Sequence, residues 1–154
     1  MKFSNFFQIG EGNTVGAVAI DEYGNIAAAT STGGLTGKMS GRIGDAPIIG
    51  AGTYCDNNLA GISATGEGEV IMKAVLVFDI LKRMEYLGKD IQTAAKEACD
   101  EMTARFDGDG GVIAIDKDGN VGVAFSSEQM SWAYQKGDKV FFGVNPDEVF
   151  EELV

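Results

Sequence analysis

The sequence has no histidine, only two cysteines and two prolines, and 12 basic residues against 23 acidic ones. Each shortage excludes a class of protein. Without histidine, a Ser-His-Asp or Cys-His nucleophile, an HExxH zinc site and an imidazole proton shuttle are all excluded within this chain. Any catalysis has to run on carboxylates, Lys, Cys, Tyr, hydroxyls or an α-amine. Cys55 and Cys99 lie outside any CxxC motif and are too few for a disulfide scaffold, so both read as buried free thiols in a reducing compartment. A net charge of −11 argues against electrostatic binding to nucleic acid or to an anionic membrane surface. No stretch approaches the length of an apolar span, and the opening MKFSNFFQIGEGN lacks the apolar core of a signal peptide. The expectation is a cytoplasmic protein.

What is present is an ordinary globular composition, 45% hydrophobic and 23% charged over 154 residues, together with 22 glycines. That length suits one domain. Residues 1–13, with Phe3, Phe6, Phe7 and Gly10-Glu11-Gly12-Asn13, read as a lead segment, and residues 14–154 as the structured body. TVGAVAID and IAAATST flank an acidic, glycine-containing turn, which predicts a hairpin. A glycine-rich loop follows from Gly33 to Gly44, and then PIIGAGTY and LAGISAT as two more strands. Apolar residues at Val70, Ile71, Ala74, Val75, Val77, Phe78, Leu81 and Met84 predict one helix from Glu67 to Leu87, ending at Gly88. Asp90 is placed to cap a second helix over IQTAAKEACDEMTARF. GGVIAID and NVGVAFS form a second hairpin signal, and the acidic end after Pro146, DEVFEEL, predicts a short closing helix. Segregated strands and helices of this kind indicate an α+β fold. Acids concentrate in the second part of the chain, eighteen of them after residue 65 against five before it, which reads as a solvated face.

The glycine-dense first half carries the candidate chemistry. Glycines 33, 34, 37, 41 and 44 interleave with Thr30, Ser31, Thr32, Thr36, Lys38, Arg42 and Asp45. Such a stretch is either a surface loop or a place where backbone approaches a ligand closely. Neither a P-loop nor a GxGxxG fingerprint is present. Gly66 and Gly68 stand between a strand and a helix, a junction that serves either as a tight turn or as an oxyanion hole built from backbone N–H groups. A hydrolase without histidine still needs a base. An N-terminal threonine supplies one, because its own α-amine has a reference pKa near 8. Thr14 opens the first strand behind a glycine-rich lead and so satisfies the first requirement of that chemistry.

The run TVGAVAID…GNIAAATSTGGLTGKMSGRIGDAPIIGAGTY…ISATGEGE resembles the β subunit of the plant-type L-asparaginases and isoaspartyl peptidases. These are N-terminal-nucleophile hydrolases with an αββα sandwich. The likeness continues through GGVIAIDKDGN, Gln129-Met130-Ser131-Trp132-Ala133 and FFGVNPDE, and is greatest to the animal asparaginase-like isoaspartyl peptidases. The resemblance implies that Thr14 is the nucleophile, released by autoproteolysis of the Asn13–Thr14 bond, and that the hydroxyl of Thr32 contacts it. It implies that Thr65 and Gly66 are the oxyanion-hole donors. Arg42 would grip the substrate α-carboxylate, and Asp45, with the carbonyl of Gly68, the α-ammonium. No cofactor and no metal site is expected within this chain, which would lack the family's sodium-binding loop. The implied activity is cleavage of L-asparagine or of β-aspartyl dipeptides, small molecules that share one amino-acid head group. Asn13 stands where the family usually has glycine, and Gly37 where it usually has asparagine. Family precursors carry an α subunit before the nucleophile. An oligomer or a separate α-subunit-like chain is therefore an expected partner, and an uncleaved, non-catalytic β-like interaction domain is the alternative reading.

Overall fold

A computed structural model describes residues 14–154. The expected lead segment, and Asn13 with it, lies outside the described residues. Nine strands and three helices follow in the order β1 (Val15–Ile20), β2 (Ile26–Ser31), β3 (Thr53–Cys55), β4 (Ala60–Gly66), α1 (Gly68–Ala74), α2 (Leu76–Leu87), α3 (Ile91–Phe106), β5 (Gly110–Asp116), β6 (Val121–Phe125), β7 (Trp132–Lys136), β8 (Lys139–Gly143) and β9 (Phe150–Leu153). This is an α+β fold.

The two hairpins expected from alternation are present, and both are closed by the same local device. In each, an aspartate precedes a glycine by three residues and an asparagine by four. Asp21 Oδ1 accepts from the N–H groups of Tyr23 and Asn25 at 2.9 and 2.8 Å, and Asp116 Oδ1 from those of Asp118 and Asn120 at 2.9 and 2.8 Å. A carboxylate that gathers turn N–H groups in this way pre-forms the reversal of the chain.

Strands β3-β4-β5-β6 make an antiparallel four-stranded sheet. Its two faces are distinguished by residue parity. Ala60, Ile62 and Ala64 of β4, with Val112 and Ala114 of β5 and Ala124 of β6, join Ile71, Leu76, Val77, Ile80, Leu81, Ile91 and Met102 in one buried core, so the three helices cover that face. The opposite face, at Gly61 and Ser63, receives the β1–β2 hairpin. A Cβ on Gly61 would come 2.5 Å from Ile26 Cγ2, and one on Gly16 would run into Ser63 Oγ. The molecule is thus layered as helices, four-stranded sheet and hairpin. A third, three-stranded sheet, β7-β8-β9, forms the C-terminal part.

Four expectations are corrected. The single helix from Glu67 to Leu87 is two helices, broken at Val75, which takes a left-handed conformation with φ 49°. The reason is tertiary: the N–H groups of Val77 and Phe78, at the start of α2, donate to the carbonyls of Ala51 and Gly50 at 3.4 and 2.9 Å. PIIGAGTY is mostly a turn, with an isolated Ile49↔Thr53 bridge, and only its last two residues enter the short strand β3. The acidic end is strand β9, paired with β8 from Lys139↔Leu153 to Phe142↔Phe150, and not a helix. Cys55 is exposed, so only Cys99 is a buried thiol, and burial pushes its pKa up to about 12. The predicted cap holds, with Asp90 accepting from Thr93 N at 2.9 Å.

Candidate active site

The hairpin lies along β4 with Ile26 over Gly61 and Gly16 over Ser63. Thr30, opposite Gly16 in the register, joins its hydroxyl to Ser63 Oγ at 2.6 Å, to the Gly52 carbonyl at 3.1 Å and to Thr53 Oγ1. These three hydroxyls lock the hairpin to the sheet with polar contacts in a layer that has little apolar bulk. The pairing ends at Val15↔Ser31. One step beyond it stand Thr14 and Thr32, both half-buried, at the end of the hairpin that points along β4 toward Thr65 and Gly66. By strand alternation Thr14 shares the face of Gly16, the face turned to the sheet. Thr32 Oγ1 accepts from Gly34 N at 3.0 Å, which orients its hydroxyl at the mouth of the glycine-rich loop.

At the end of β4 the chain makes a turn that only glycine fills. Gly66 has φ 132°, and a Cβ there would lie 2.5 Å from both Asp109 O and Gly110 Cα. Glu67 N donates to Asp109 O at 2.9 Å, and Glu67 Oε1 accepts from Asp109 N at 3.2 Å. The Thr65–Gly68 junction is therefore pinned to the start of β5. The helix behind it is α1, seven residues long, so the turn's own geometry, rather than a long helix dipole, has to supply any anion-binding capacity.

Arg42 and Asp45 arrive from the glycine-rich loop, which carries turns but no helix or strand. The guanidinium lies in a slot walled by glycines. A Cβ on Gly34 would lie 3.2 Å from Nη1, one on Gly44 2.9 Å from Nη1, and one on Gly68 3.0 Å from Nη2. Three glycines scattered across the sequence thus share one purpose, room for a planar cation. Arg42 donates through Nε to Glu69 Oε1 and through Nη2 to Glu69 Oε2, both at 2.8 Å. This pairing lowers the pKa of Glu69 and raises that of Arg42.

Asp45 is 7% exposed, and its Oδ2 is buried without a hydrogen-bond partner among the described residues. Oδ1 faces Gly68, whose missing side chain leaves it room; a Cβ there would be 2.9 Å away. Burial raises the Asp45 pKa, and the nearby Arg42 charge only partly opposes this. A buried carboxylate oxygen with no partner is costly, and an ammonium group is the chemistry that satisfies it.

The fold thus gathers two sets of the sequence-predicted residues. Thr14, Thr32, Thr65 and Gly66 share one end of the two β layers. Arg42, Asp45 and Gly68 form a contact cluster attached to that end through the three-residue step from Thr65 to Gly68. Glu69, the partner of Arg42, is not singled out by the sequence, because an acid in the first turn of a helix carries no local sign of a contact with a distant loop.

Comparisons with known proteins identify relatives of the chain. The profile of the asparaginase family, Asparaginase_2, matches residues 4–143. An isoaspartyl peptidase/L-asparaginase of Xenopus laevis is 52% identical over 137 residues, 89% of this chain and 44% of the relative. One of Danio rerio is 48% identical over 147 residues, 96% of this chain and 47% of the relative. The isoaspartyl peptidase of Escherichia coli strain K12 is 46% identical over 133 residues, 85% of this chain and 41% of the relative. The chain spans less than half the length of the curated relatives it matches. With the family profile covering most of its length and these relatives aligned across its sheets and helices, the chain belongs to the asparaginase family.

Proposed function

We propose that this chain is the β-subunit part of a threonine-dependent amidohydrolase that cleaves L-asparagine or the isoaspartyl bond of β-aspartyl dipeptides. In this reading, the Asn13–Thr14 bond is cut, residues 1–13 belong to the segment before the nucleophile, and residues 14–154 are the β-subunit-like domain of an αββα sandwich. The observation that carries it is the unpartnered, buried Asp45 Oδ2 beside Arg42 and Gly68, a cation-seeking and an anion-seeking group three residues apart. Together they match the ammonium and carboxylate of one amino-acid head group.

The freed α-amine of Thr14 takes the proton from its own Oγ, and Oγ attacks the carbonyl carbon of the side-chain amide. The oxyanion of the tetrahedral intermediate is held at Thr65 and Gly66, and Thr32 orients the nucleophile. Collapse expels ammonia or the amine of the dipeptide, which takes the proton back from the α-amine, and leaves a β-aspartyl ester on Thr14. Water, deprotonated by the same α-amine, attacks that ester, and the α-amine returns the proton to Oγ as aspartate leaves. Each step needs only groups that a histidine-free chain provides.

The two-stranded β1–β2 sheet is unpaired at both edges among the described residues, and Val15, 66% exposed, stands on its outer part. Open edges of this kind invite pairing. They support an α-subunit-like partner over that layer. Among the described residues no helix is long and apolar enough to cross a membrane. The two free thiols fit the reducing cytoplasm.

The test is direct. Mass spectrometry of purified protein should reveal a fragment of residues 14–154, and the preparation should hydrolyse a β-aspartyl dipeptide or asparagine. Thr14→Ala should abolish both cleavage and turnover. Hydrolysis that survives Thr14→Ala would refute the nucleophile assignment.

A further inference from the structure

Arg42 has five N–H donors in a fixed plane. Two of them, on Nε and Nη2, are occupied by Glu69. What remains is the Nη1/Nη2 edge, which is enough for one more carboxylate in a two-bond fork. An anion that docks there meets a guanidinium whose charge is already shared. It also meets Glu69 across the plane and Asp45 close by, both acids coupled electrostatically to Arg42. Two further cations stand nearby, and one of them, Lys38, shares the Gly34 slot with Arg42: a Cβ on Gly34 would lie 2.9 Å from Lys38 Nζ and 3.2 Å from Arg42 Nη1. Lys38 donates its ammonium to the Gly33 carbonyl on the exposed loop, and Lys73 sits one turn further along α1. Arg42 is 16% exposed and Glu69 49%, so the pair is half-sheltered and its charges are only partly screened.

Two acids, one shared guanidinium and a lysine already tied to the Gly33 carbonyl make a poor receptor for a bare carboxylate. They make a good one for a carboxylate that brings its own ammonium to Asp45 Oδ2. We propose that Glu69 is a specificity-determining residue, whose charge on the far edge of Arg42 makes recognition depend on the ligand's ammonium group. This rests on Arg42 and Asp45 being the head-group contacts. Glu69 itself touches no ligand in this arrangement; it sets how much a carboxylate alone gains from Arg42.

The probes are L-aspartate and succinate, which share a two-carboxylate skeleton and differ by the ammonium. Their affinities for the full chain are measured by titration calorimetry in wild type, Glu69→Gln, Glu69→Ala and Arg42→Gln. Wild type is expected to prefer L-aspartate. Both Glu69 variants are expected to narrow that preference about tenfold, chiefly by tightening succinate, the scale of one removed charge at a half-sheltered contact. An unchanged ratio, with both ligands weakened alike, would make Glu69 a mere prop and overturn the inference while leaving the head-group reading intact. The head-group reading falls, and the inference with it, on either of two results: a wild type that binds L-aspartate no better than succinate, or an Arg42→Gln variant that loses no affinity for either.

Discussion

The hairpin-and-loop half of the molecule and its helical layer are held together by different forces. In the helical layer, α2 and α3 bury Leu76, Val77, Ile80, Leu81, Ile91 and Met102 against the sheet and keep their ion pairs outside. On the other side, Gly16 and Gly61 let backbone approach side chains, hydroxyls bridge the layers, and one carboxylate is buried without a partner. The first arrangement gains stability from apolar area. The second gives some of it up, and it is there that the nucleophile and oxyanion candidates lie. Apolar stability and the nucleophile candidate therefore occupy opposite faces of one sheet, while the head-group cluster reaches from the loop to the first turn of α1, at the rim of the helical layer.

The largest expected effect tests that separation from the stable side. Leu81 is 1% exposed in the core, and Leu81→Ala should cost about 3 kcal/mol through lost burial and the cavity left behind. A urea melt should find the loss, while L-aspartate affinity of the folded protein stays at the wild-type value. A parallel fall in affinity would break the comparison, because the two faces would then be mechanically one unit. Gly66→Ala is the counterpart on the site side. Its φ of 132° and the 2.5 Å approach to Asp109 O and Gly110 Cα leave an alanine no room without moving backbone. The cost should be about 2 kcal/mol, and turnover of a β-aspartyl dipeptide should fall far more than the stability change alone accounts for.

Asp45→Asn should separate the two in sign. The Asp45 pKa is raised above its ordinary 3.8 by burial, so the folded state holds the proton more tightly than the unfolded chain. The charged form therefore destabilises the fold above the raised pKa, and that penalty disappears as pH falls below the ordinary value. Removing the charge should stabilise the protein by about 1 kcal/mol at neutral pH, with the gain vanishing in acid. L-Aspartate binding should be lost in the same variant. Thermal melts at neutral pH and near pH 3, set beside calorimetry, check both signs.

How much of this was legible in the sequence follows the same division. The hairpins were readable because alternation and an Asp-x-x-Gly-Asn turn are local signals. The loop with Arg42 and Asp45, and the step from Thr65 to Gly68, were readable because glycine density and motif order survive without coordinates. The break at Val75 was not, because a β-branched residue in the left-handed region contradicts local preference and is imposed by the carbonyls of Gly50 and Ala51. Nor was β9, since FEEL carries residues that favour helix. Its pairing with β8 and the Lys139–Glu151 ion pair at 2.6 Å decide otherwise. The convergence of Gly34, Gly44 and Gly68 on one guanidinium was hidden for the same reason: contact across the fold leaves no periodicity.

The smallest expected effect lies in the ion pairs of the helical layer, where two formally similar contacts should differ. Arg83 is 15% exposed and bridges helices, with Asp79 at 2.9 Å on its own helix and Glu101 at 2.6 Å on the next, while Glu97 stands 3.7 Å away. Lys96, 67% exposed, pairs among the described residues only with Asp100 one turn along α3. Arg83→Met keeps the apolar stem but leaves three carboxylates facing one another without their shared cation, and should cost about 1 kcal/mol. Lys96→Met removes a solvated i,i+4 pair worth about 0.3 kcal/mol, near the limit of a denaturant melt. Raising the salt concentration should shrink the Arg83 effect less than it shrinks the Lys96 effect, because sheltered charges are screened less. Equal costs for the two variants would mean that the helical layer gains nothing from joining α2 to α3 electrostatically, and that apolar burial alone holds that side together.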